Sequence, residues 1–339
     1  MKTKRIVTTV LAGILAIGVL AGCGDTKKAA DSSKPIPLKV GYSAGVCQAP
    51  LFVAQEKGFF KEQGLATEMV QIEAAHAADA IAAGKVDVLS GLVSKMVQPI
   101  SNGLPVKVTA GLHTGCTYVL VKKDSPYQKI SDLKGKKVGV AGLADSGTVL
   151  TKRALAKEGV KVDDKNLEVE FSVFTRNDLP LVLDKGQVDA IAVGDPVATI
   201  AKEKYGYRAL LDTAKTAPFD KEYCCVFMVT SKLAQKNPAA AEKATRALLK
   251  AAAWVQKHPE EAAKLALDKK YTAGNVKLNS TLLKGYSFIP SVKGGYEALK
   301  ANATELTSIG LLKAGTDGKK FADSHFLFFK GLPDTIAAE

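Results

Sequence analysis

The feature that most limits the fold of this chain is an alternation of short apolar strands and helices that runs twice along it. In the first run, residues 38–42 read as a strand, 51–60 as a helix interrupted at Gly58, and 67–72 as a strand. Residues 75–83 form an alanine-rich helix, 86–89 a strand, 93–102 a helix, and 106–111 and 118–121 two further strands. The second run gives strand 137–140, helix 147–158, strand 167–173, helix 179–184, strand 188–193, helix 196–204 and strand 208–211. Such alternation predicts parallel, helix-covered sheets and an α/β fold class. One more apolar strand, 226–229, precedes a mostly helical remainder. There Ala241, Ala244, Leu248, Ala252 and Val255 share one helical face. Pro238 stands near that helix's start, and Pro259 is expected to act as its stop.

The two runs share a local plan. AIAAGKVDVL, from Ala80, and LVLDKGQVDAIAV, from Leu181, are each a helix, a glycine turn and an apolar strand containing Asp. The length of the body, from about residue 36 to 333, allows two lobes, each with its own core. The net charge of +13 includes three charges at the basic start, which leaves about +10 for the rest. These charges are spread along the chain and fit attraction to an anionic membrane surface. No nucleic-acid module is evident, and few aromatics are placed to stack bases.

The beginning of the chain carries its own pattern. Lys2, Lys4 and Arg5 precede an uncharged apolar run from Ile6 to Val19, followed by Leu20-Ala21-Gly22-Cys23. A basic head, an apolar run and small residues before a cleavage point describe a secretory signal. The run is shorter than the roughly 20 residues of a spanning helix. Leu-Ala-Gly-Cys resembles the lipobox of bacterial lipoproteins. The resemblance implies a signal peptide over residues 1–22, lipidation of Cys23 and a solvated tether over 23–35.

Four phrases resemble the nitrate/sulfonate/taurine branch of the periplasmic binding proteins, in that family's order. They are GYSAGVCQAPLFVAQEKGFFKEQGL from Gly41, AIAAGKVDVLSG from Ala80, ISDLKGKKVGVAGLADSGT from Ile130 and LPLVLDKGQVDAIAVGDPVATIA from Leu179. The resemblance implies a type II periplasmic binding protein-like fold, with two doubly wound lobes and a ligand cleft between them. It places lobe 1 over residues 36–122 and 225–333 and lobe 2 over 123–222, with crossings near 122–124 and 222–225. It also implies a monomeric lipoprotein without cofactor that captures a small organic anion and hands it to ABC permease and ATPase subunits. It would be anchored outside the cytoplasmic membrane.

Ligands of open α/β sheets sit beyond the carboxyl ends of strands. That rule selects Ser43, Cys47, Gln48, His76, Ser90, His113, Thr114 and Cys116 in the first lobe and Ser146, Gly147, Thr148, Arg176 and Asp195 in the second. Cys224 joins them from the second crossing. Ser146, Gly147 and Thr148 open a helix whose unpaired N–H groups favour an anion or are simply capped. Gly147 is expected to let a ligand approach the backbone. Arg176 either clamps an anion or pairs with Asp178. Asp195 either accepts from a ligand amine or caps the next helix.

Cys47, Cys116, Cys224 and Cys225 leave several readings open. Cys47 and Cys116 form a structural disulfide, as in many exported proteins; the thiols are buried apolar packing; they contact an organic ligand; or Cys47, His113 and Cys116 hold a soft metal. Because Cys224 and Cys225 are adjacent, a regular strand would point them to opposite faces. At most one then faces the cleft unless the backbone is distorted. Tyr223-Cys224-Cys225-Val226-Phe227 is similar in part to the Cys-Cys-Cys-Phe-Cys run of the thiamin-pyrimidine synthases of yeast type, with two cysteines missing. This implies a synthase or a thiamin-precursor binder as the alternative. The chain has no His-Glu-x-x-His and no Walker-type phosphate loop. The expectation is a binding protein and not an enzyme.

Overall fold

The computed structural model describes residues 34–73, 76–163 and 165–337. The expected signal, lipidation site Cys23 and most of the tether lie outside the described residues. From Pro35 onward the chain forms one compact unit containing two five-stranded sheets.

The first sheet holds β1 (Ile36–Tyr42), β2 (Leu65–Gln71), β3 (Val88–Leu92), β4 (Val106–Thr114) and β10 (Tyr223–Thr230), in the order β2-β1-β3-β10-β4. The second holds β5 (Thr117–Val121), β6 (Lys137–Val140), β7 (Glu170–Val173), β8 (Ala190–Gly194) and β9 (Arg208–Asp212), in the order β7-β6-β8-β5-β9. Helices α1 (Ala49–Glu56), α2 (Phe59–Glu62), α3 (Ala77–Ala82) and α4 (Val93–Ser101) connect the strands of the first sheet. Helices α5 (Ser146–Lys157), α6 (Leu179–Asp184) and α7 (Val197–Tyr205) connect those of the second. After β10 come α8 (Ser231–Lys236), α9 (Pro238–Lys257), α10 (Pro259–Asp268), α11 (Val276–Gly285), α12 (Val292–Ser308) and α13 (Gly318–His325).

Side-chain alternation explains why both faces of each sheet are covered. Along β10, Phe227 and Val229 enter one core with α1 and α9, whereas Val226 and Met228 enter another with α4 and α12. In the second sheet Val119 and Val121 pack with α5, and Tyr118 and Leu120 with α6 and α7. The face predicted for α9 is buried throughout, and each large apolar side chain on it contributes about 1.5–3 kcal/mol. Pro259 does not merely stop α9: it is the first residue of α10, where its missing N–H costs nothing.

Two expectations are corrected. The sheets are mixed and not wholly parallel: β10 runs antiparallel to β3 and β4, and β5 antiparallel to β8 and β9. These are the strands that enter directly from the other sheet, without a helical crossover to turn the chain. The first crossing also lies earlier than residues 122–124. β4 ends at Thr114 and β5, already in the second sheet, begins at Thr117, so the chain changes lobes at Gly115 and Cys116. The second crossing spans residues 213–222, and Cys224 and Cys225 already belong to the first sheet. The two crossings run side by side. Thr117 N–H donates to Thr213 Oγ1 at 3.0 Å, and Thr213 N–H donates back to Thr117 O at 3.1 Å.

Next to the crossings, Arg153 of α5 is buried and held by three partners. Its Nη1 and Nη2 donate to Glu222 at 2.9 and 2.6 Å, its Nε to Glu305 of α12 at 2.6 Å, and Nη1 also to Asn302 at 3.1 Å. Burial opposes the arginine charge, and Glu222 and Glu305 more than restore it, so its pKa stays above the ordinary value. Arg153→Ala leaves Glu222 without its cation, while Glu305 keeps only Lys157, at 2.6 Å. The expected loss is about 3–5 kcal/mol of unfolding free energy, measured by urea titration; a loss below about 1 kcal/mol would show that the network is dispensable.

Candidate functional site

The site lies at the seam between the sheets, where strand-end loops from both meet. On the first side, the loop after β1 turns back on itself: Ser43 N–H donates to Gln48 Oε1 at 2.7 Å, and Gln48 Nε2 donates to Ser90 O on β3 at 3.3 Å. The Ser90 hydroxyl is buried without a partner among the described residues. Thr114, also buried, spends its N–H on Ser287 O at 3.1 Å. On the second side, Asp145 caps α5, accepting from Gly147 N–H at 3.4 Å. Ser146 lines a cavity of about 30 Å³ together with Leu92, Arg153, Thr213, Glu222 and Cys224. That is about the volume of one water molecule.

Among the described residues, two polar contacts join the strand-end regions of the two lobes. Lys95 Nζ of α4 meets Asp145 Oδ1 at 3.1 Å, and Tyr286 OH donates to Asp195 Oδ2 at 2.9 Å. Asp195 also accepts from the backbone N–H and hydroxyl of Thr199 at 3.0 and 2.7 Å, which is the helix-capping role of the two that the sequence offered. Burial holds its carboxyl above the usual range.

Sulfur and imidazole dominate the centre. Cys116 Sγ lies 3.3 Å from Cys224 Sγ, which lies 3.5 Å from His113 Nδ1. His113 is fully buried between Tyr286 and Phe288, and its Nε2 has no hydrogen-bond partner among the described residues. The donor atoms of Cys47, His113 and Cys225 lie within 4.8 Å of one another, as do those of Cys116, Cys224 and Cys225. Such spacing and softness fit a thiophilic ion. The Cys225 hydrogen bond, helped by His113, lowers the Cys47 thiol from 9.0 to about 6 despite burial. Cys224 and Cys225 push Cys116 well below the ordinary value. Burial, first of all, pushes Cys224 well above it, and sulfur neighbours do the same to Cys225. Burial lowers and the neighbouring Cys47 thiol raises the His113 imidazole, with a net upward shift.

Several residues take other places than expected. His76 is on the surface at the start of α3, paired with Asp79 at 3.0 Å, because the helix it opens leaves its ring in solvent. Gly147 does not open the backbone to a ligand: a Cβ there would stand 2.4 Å from Ala192 O, so it lets α5 press on β8. Thr148 is buried and donates to Gly142 O at 2.6 Å, closing the preceding loop. Arg176 approaches Asp145, at 3.9 Å, and not Asp178. Cys116 Sγ neighbours Cys224 Sγ at 3.3 Å, and the four cysteines among the described residues are free thiols. The sequence reading passed over Cys225, because strand alternation sends it away from Cys224. Register shifts on both sides of Cys225 break that alternation and bring both sulfurs to the seam. Tyr286 and Lys95 were also missed, since no strand-end signal marks them. Gly41-Tyr42-Ser43-Ala44-Gly45 has the spacing of a hydrolase elbow and follows β1. Among the described residues, however, no histidine hydrogen-bonds the Ser43 hydroxyl, so the nucleophile lacks its base.

Comparison with known proteins agrees with this architecture. The periplasmic aliphatic sulphonate binding protein SsuA of Escherichia coli superposes with a TM-score of 0.70 at 18% identity, covering 86% of this chain and 98% of that one. The fold is therefore that of the periplasmic binding proteins, two α/β lobes with flanking helices. Residues 47–262 match the NMT1/THI5-like family, and the chain belongs to it. A Haemophilus influenzae protein named for thiamine biosynthesis is 28% identical over 75% of this chain and 79% of its own length. A Bacillus subtilis protein named for binding aliphatic sulfonates is 25% identical over 75% and 76%. A 4-amino-5-hydroxymethyl-2-methylpyrimidine phosphate synthase of Saccharomyces cerevisiae is 28% identical over 67% and 68%.

The Cys47 thiol gives a direct test. Above about pH 6 it is thiolate, and below it the proton returns. Alkylation of Cys47 by iodoacetamide, followed by peptide mass spectrometry from pH 4.5 to 9.5, is expected to reach half its plateau near pH 6. A midpoint near the ordinary thiol value would mean that Cys225 and His113 do not hold it.

Proposed function

We propose that this protein is the solute-binding component of an ABC-type importer. It captures a small organic anion, of sulfonate, taurine, nitrate or sulfur-bearing type, between its lobes. The observation that carries this reading is the arrangement at Asp145. The carboxylate sits at the start of the twelve-residue helix α5 and meets Lys95 from the first lobe at 3.1 Å and Arg176 from the second at 3.9 Å. An anion of similar size has the same partners when the lobes part and the solute enters: helix N–H groups and two cations from opposite sides. In this reading the solute enters when the lobes open, and closure on it is the signal read by the permease. The relatives named for sulfonate binding support the same class.

A second reading, a thiamine-precursor pyrimidine as ligand or as synthase substrate, is favoured by the buried row His113, Tyr286 and Asp195 and by the relatives named for thiamine biosynthesis and pyrimidine synthesis. A third, a metal or metal complex, rests on the thiol and imidazole donors. Mass spectrometry of small molecules released from the purified protein, with metal analysis of the same sample, separates the three: an anion supports the first, a pyrimidine the second and stoichiometric metal the third. For the first, Arg176→Ala is expected to weaken sulfonate binding in calorimetry by about 1.5–3 kcal/mol; unchanged affinity removes Arg176 from the site.

In this reading Cys23 carries the lipid, residues 24–35 tether a monomeric body to the outer face of the cytoplasmic membrane, and a permease and an ATPase are the partners. Cys23→Ser is expected to move the protein from the detergent phase to the aqueous phase in Triton X-114 partitioning. Retention in the detergent phase would argue against the anchor.

A further inference from the structure

The sulfur pair at the crossings bears on more than ligand contact. Cys116 lies on the first crossing between the sheets, and Cys224 stands two residues after Glu222, where the second crossing ends. Their sulfurs are 3.3 Å apart. A bonded pair stands about 2.05 Å apart, so a modest side-chain movement closes the gap. The backbone supplies a second, independent observation. Cys116 has φ of +99°, the left-handed region that side chains avoid, directly after Gly115 at +86°. Such a conformation costs of the order of 1–3 kcal/mol and persists where the surroundings enforce it. Here Cys116 O accepts from Asp195 N–H at 3.1 Å, and Gly115 O accepts from the Cys224 thiol. The strained turn is thus fixed on both sides with its sulfur over Cys224.

We propose that Cys116 and Cys224 are an oxidation site: they form a disulfide that ties the two interlobe crossings together and restrains lobe movement. The oxidant is a second disulfide, of a small thiol or of a protein, as found in oxidising compartments. Cys224 lines the seam cavity and is only half buried, so it meets the oxidant first. The Cys116 sulfur, 3.3 Å away, takes the Cys224 proton as the Cys224 sulfur attacks the external disulfide, expelling one half as a thiolate and forming a mixed disulfide. The sulfur of Cys116 then attacks the Cys224 sulfur and expels the second thiol, which takes the Cys116 proton. One external disulfide is reduced to a thiolate and a thiol, and one internal disulfide is formed. Cys47 and Cys225 remain thiols.

The linkage itself is independent of the transport reading; its effect on lobe movement rests on the two-lobe architecture. The full-length protein is equilibrated in mixtures of reduced and oxidised glutathione, blocked with N-ethylmaleimide, digested and mapped by mass spectrometry. The expected product joins the peptides of Cys116 and Cys224, with blocked Cys47 and Cys225, and dithiothreitol reverses it. Cys116→Ser and Cys224→Ser should each abolish that product. Mapping of the unsubstituted protein decides the matter even where a variant fails to fold. Four blocked thiols at every glutathione ratio, or a bond from Cys47 to another cysteine, would overturn the assignment. For the restraint, amide hydrogen exchange in residues 115–117 and 213–224 should slow at least tenfold on oxidation. Unchanged exchange with the bond in place would overturn the clamp while leaving the oxidation site standing. Neither outcome bears on which solute is released from the protein, so a failure here is distinguishable from a failure of the proposed function.

Discussion

The structure depends on one join, the hydrogen bonds between Thr117 and Thr213 at the second-sheet end of the two crossings, one between backbones and one from the Thr117 N–H to the Thr213 hydroxyl. Each crossing continues as a strand on both sides: β4 pairs with β10 in the first sheet, and β5 with β9 in the second. The lobes are therefore joined by two short crossings, Gly115–Cys116 and residues 213–222, the second with a 3-10 turn at Phe219–Lys221. This explains the reversed direction of β5 and β10, and it explains why the tight turn at Gly115 and Cys116 must take positive φ. It also fixes the site, because the carboxyl ends of β1, β3, β6 and β8, which a doubly wound sheet offers to ligands, then face each other across the seam.

The fold was largely legible in the sequence. Alternating apolar segments gave the strands on both sides of each sheet, and helix 179–184 coincides with α6. What was not legible follows from two physical causes. Strand direction is decided by how the chain enters a sheet, which local periodicity does not record; hence the mixed sheets and the misplaced first crossing. Side-chain direction depends on bulges, and the shifts around Cys225 undo the period of two that had sent it away from Cys224. Gly147 and Thr148 show a further limit. The need of a helix to approach a strand closely selects glycine as surely as ligand approach does, and only the 2.4 Å distance to Ala192 O distinguishes them.

The thiol cluster illustrates how burial redistributes protons instead of simply suppressing charge. Four thiols and one imidazole share a dry region, and each hydrogen bond between them favours the anion of one partner at the expense of the other. Cys47 and Cys116 fall while Cys224 and Cys225 rise, and the upward shift of His113 matches the downward shift of Cys47. The protons belong to the group as a whole. Such a cluster is well suited to soft or redox chemistry and poorly suited to inert packing. A core of Leu or Val in the same space would need no such sharing.

The contacts that span the seam divide into two kinds, and the division bears on how the lobes open. Arg153 binds Glu222, which belongs to the crossing itself, and Glu305, whose helix α12 lies against β4. In the proposed opening, a rotation about the crossings moves these partners little, and this network acts as part of the hinge. Lys95–Asp145 and Tyr286–Asp195 lie at the strand-end loops and must separate when the lobes part. A partly exposed ion pair is worth about 0–1 kcal/mol, and a neutral donor to a carboxylate about 1.5–3 kcal/mol. Breaking both costs less than the roughly 8 kcal/mol released by a micromolar solute. In the proposed function, closure over a solute is then driven by the solute, because the strong buried charges are kept near the crossings and the weaker ones at the strand-end loops.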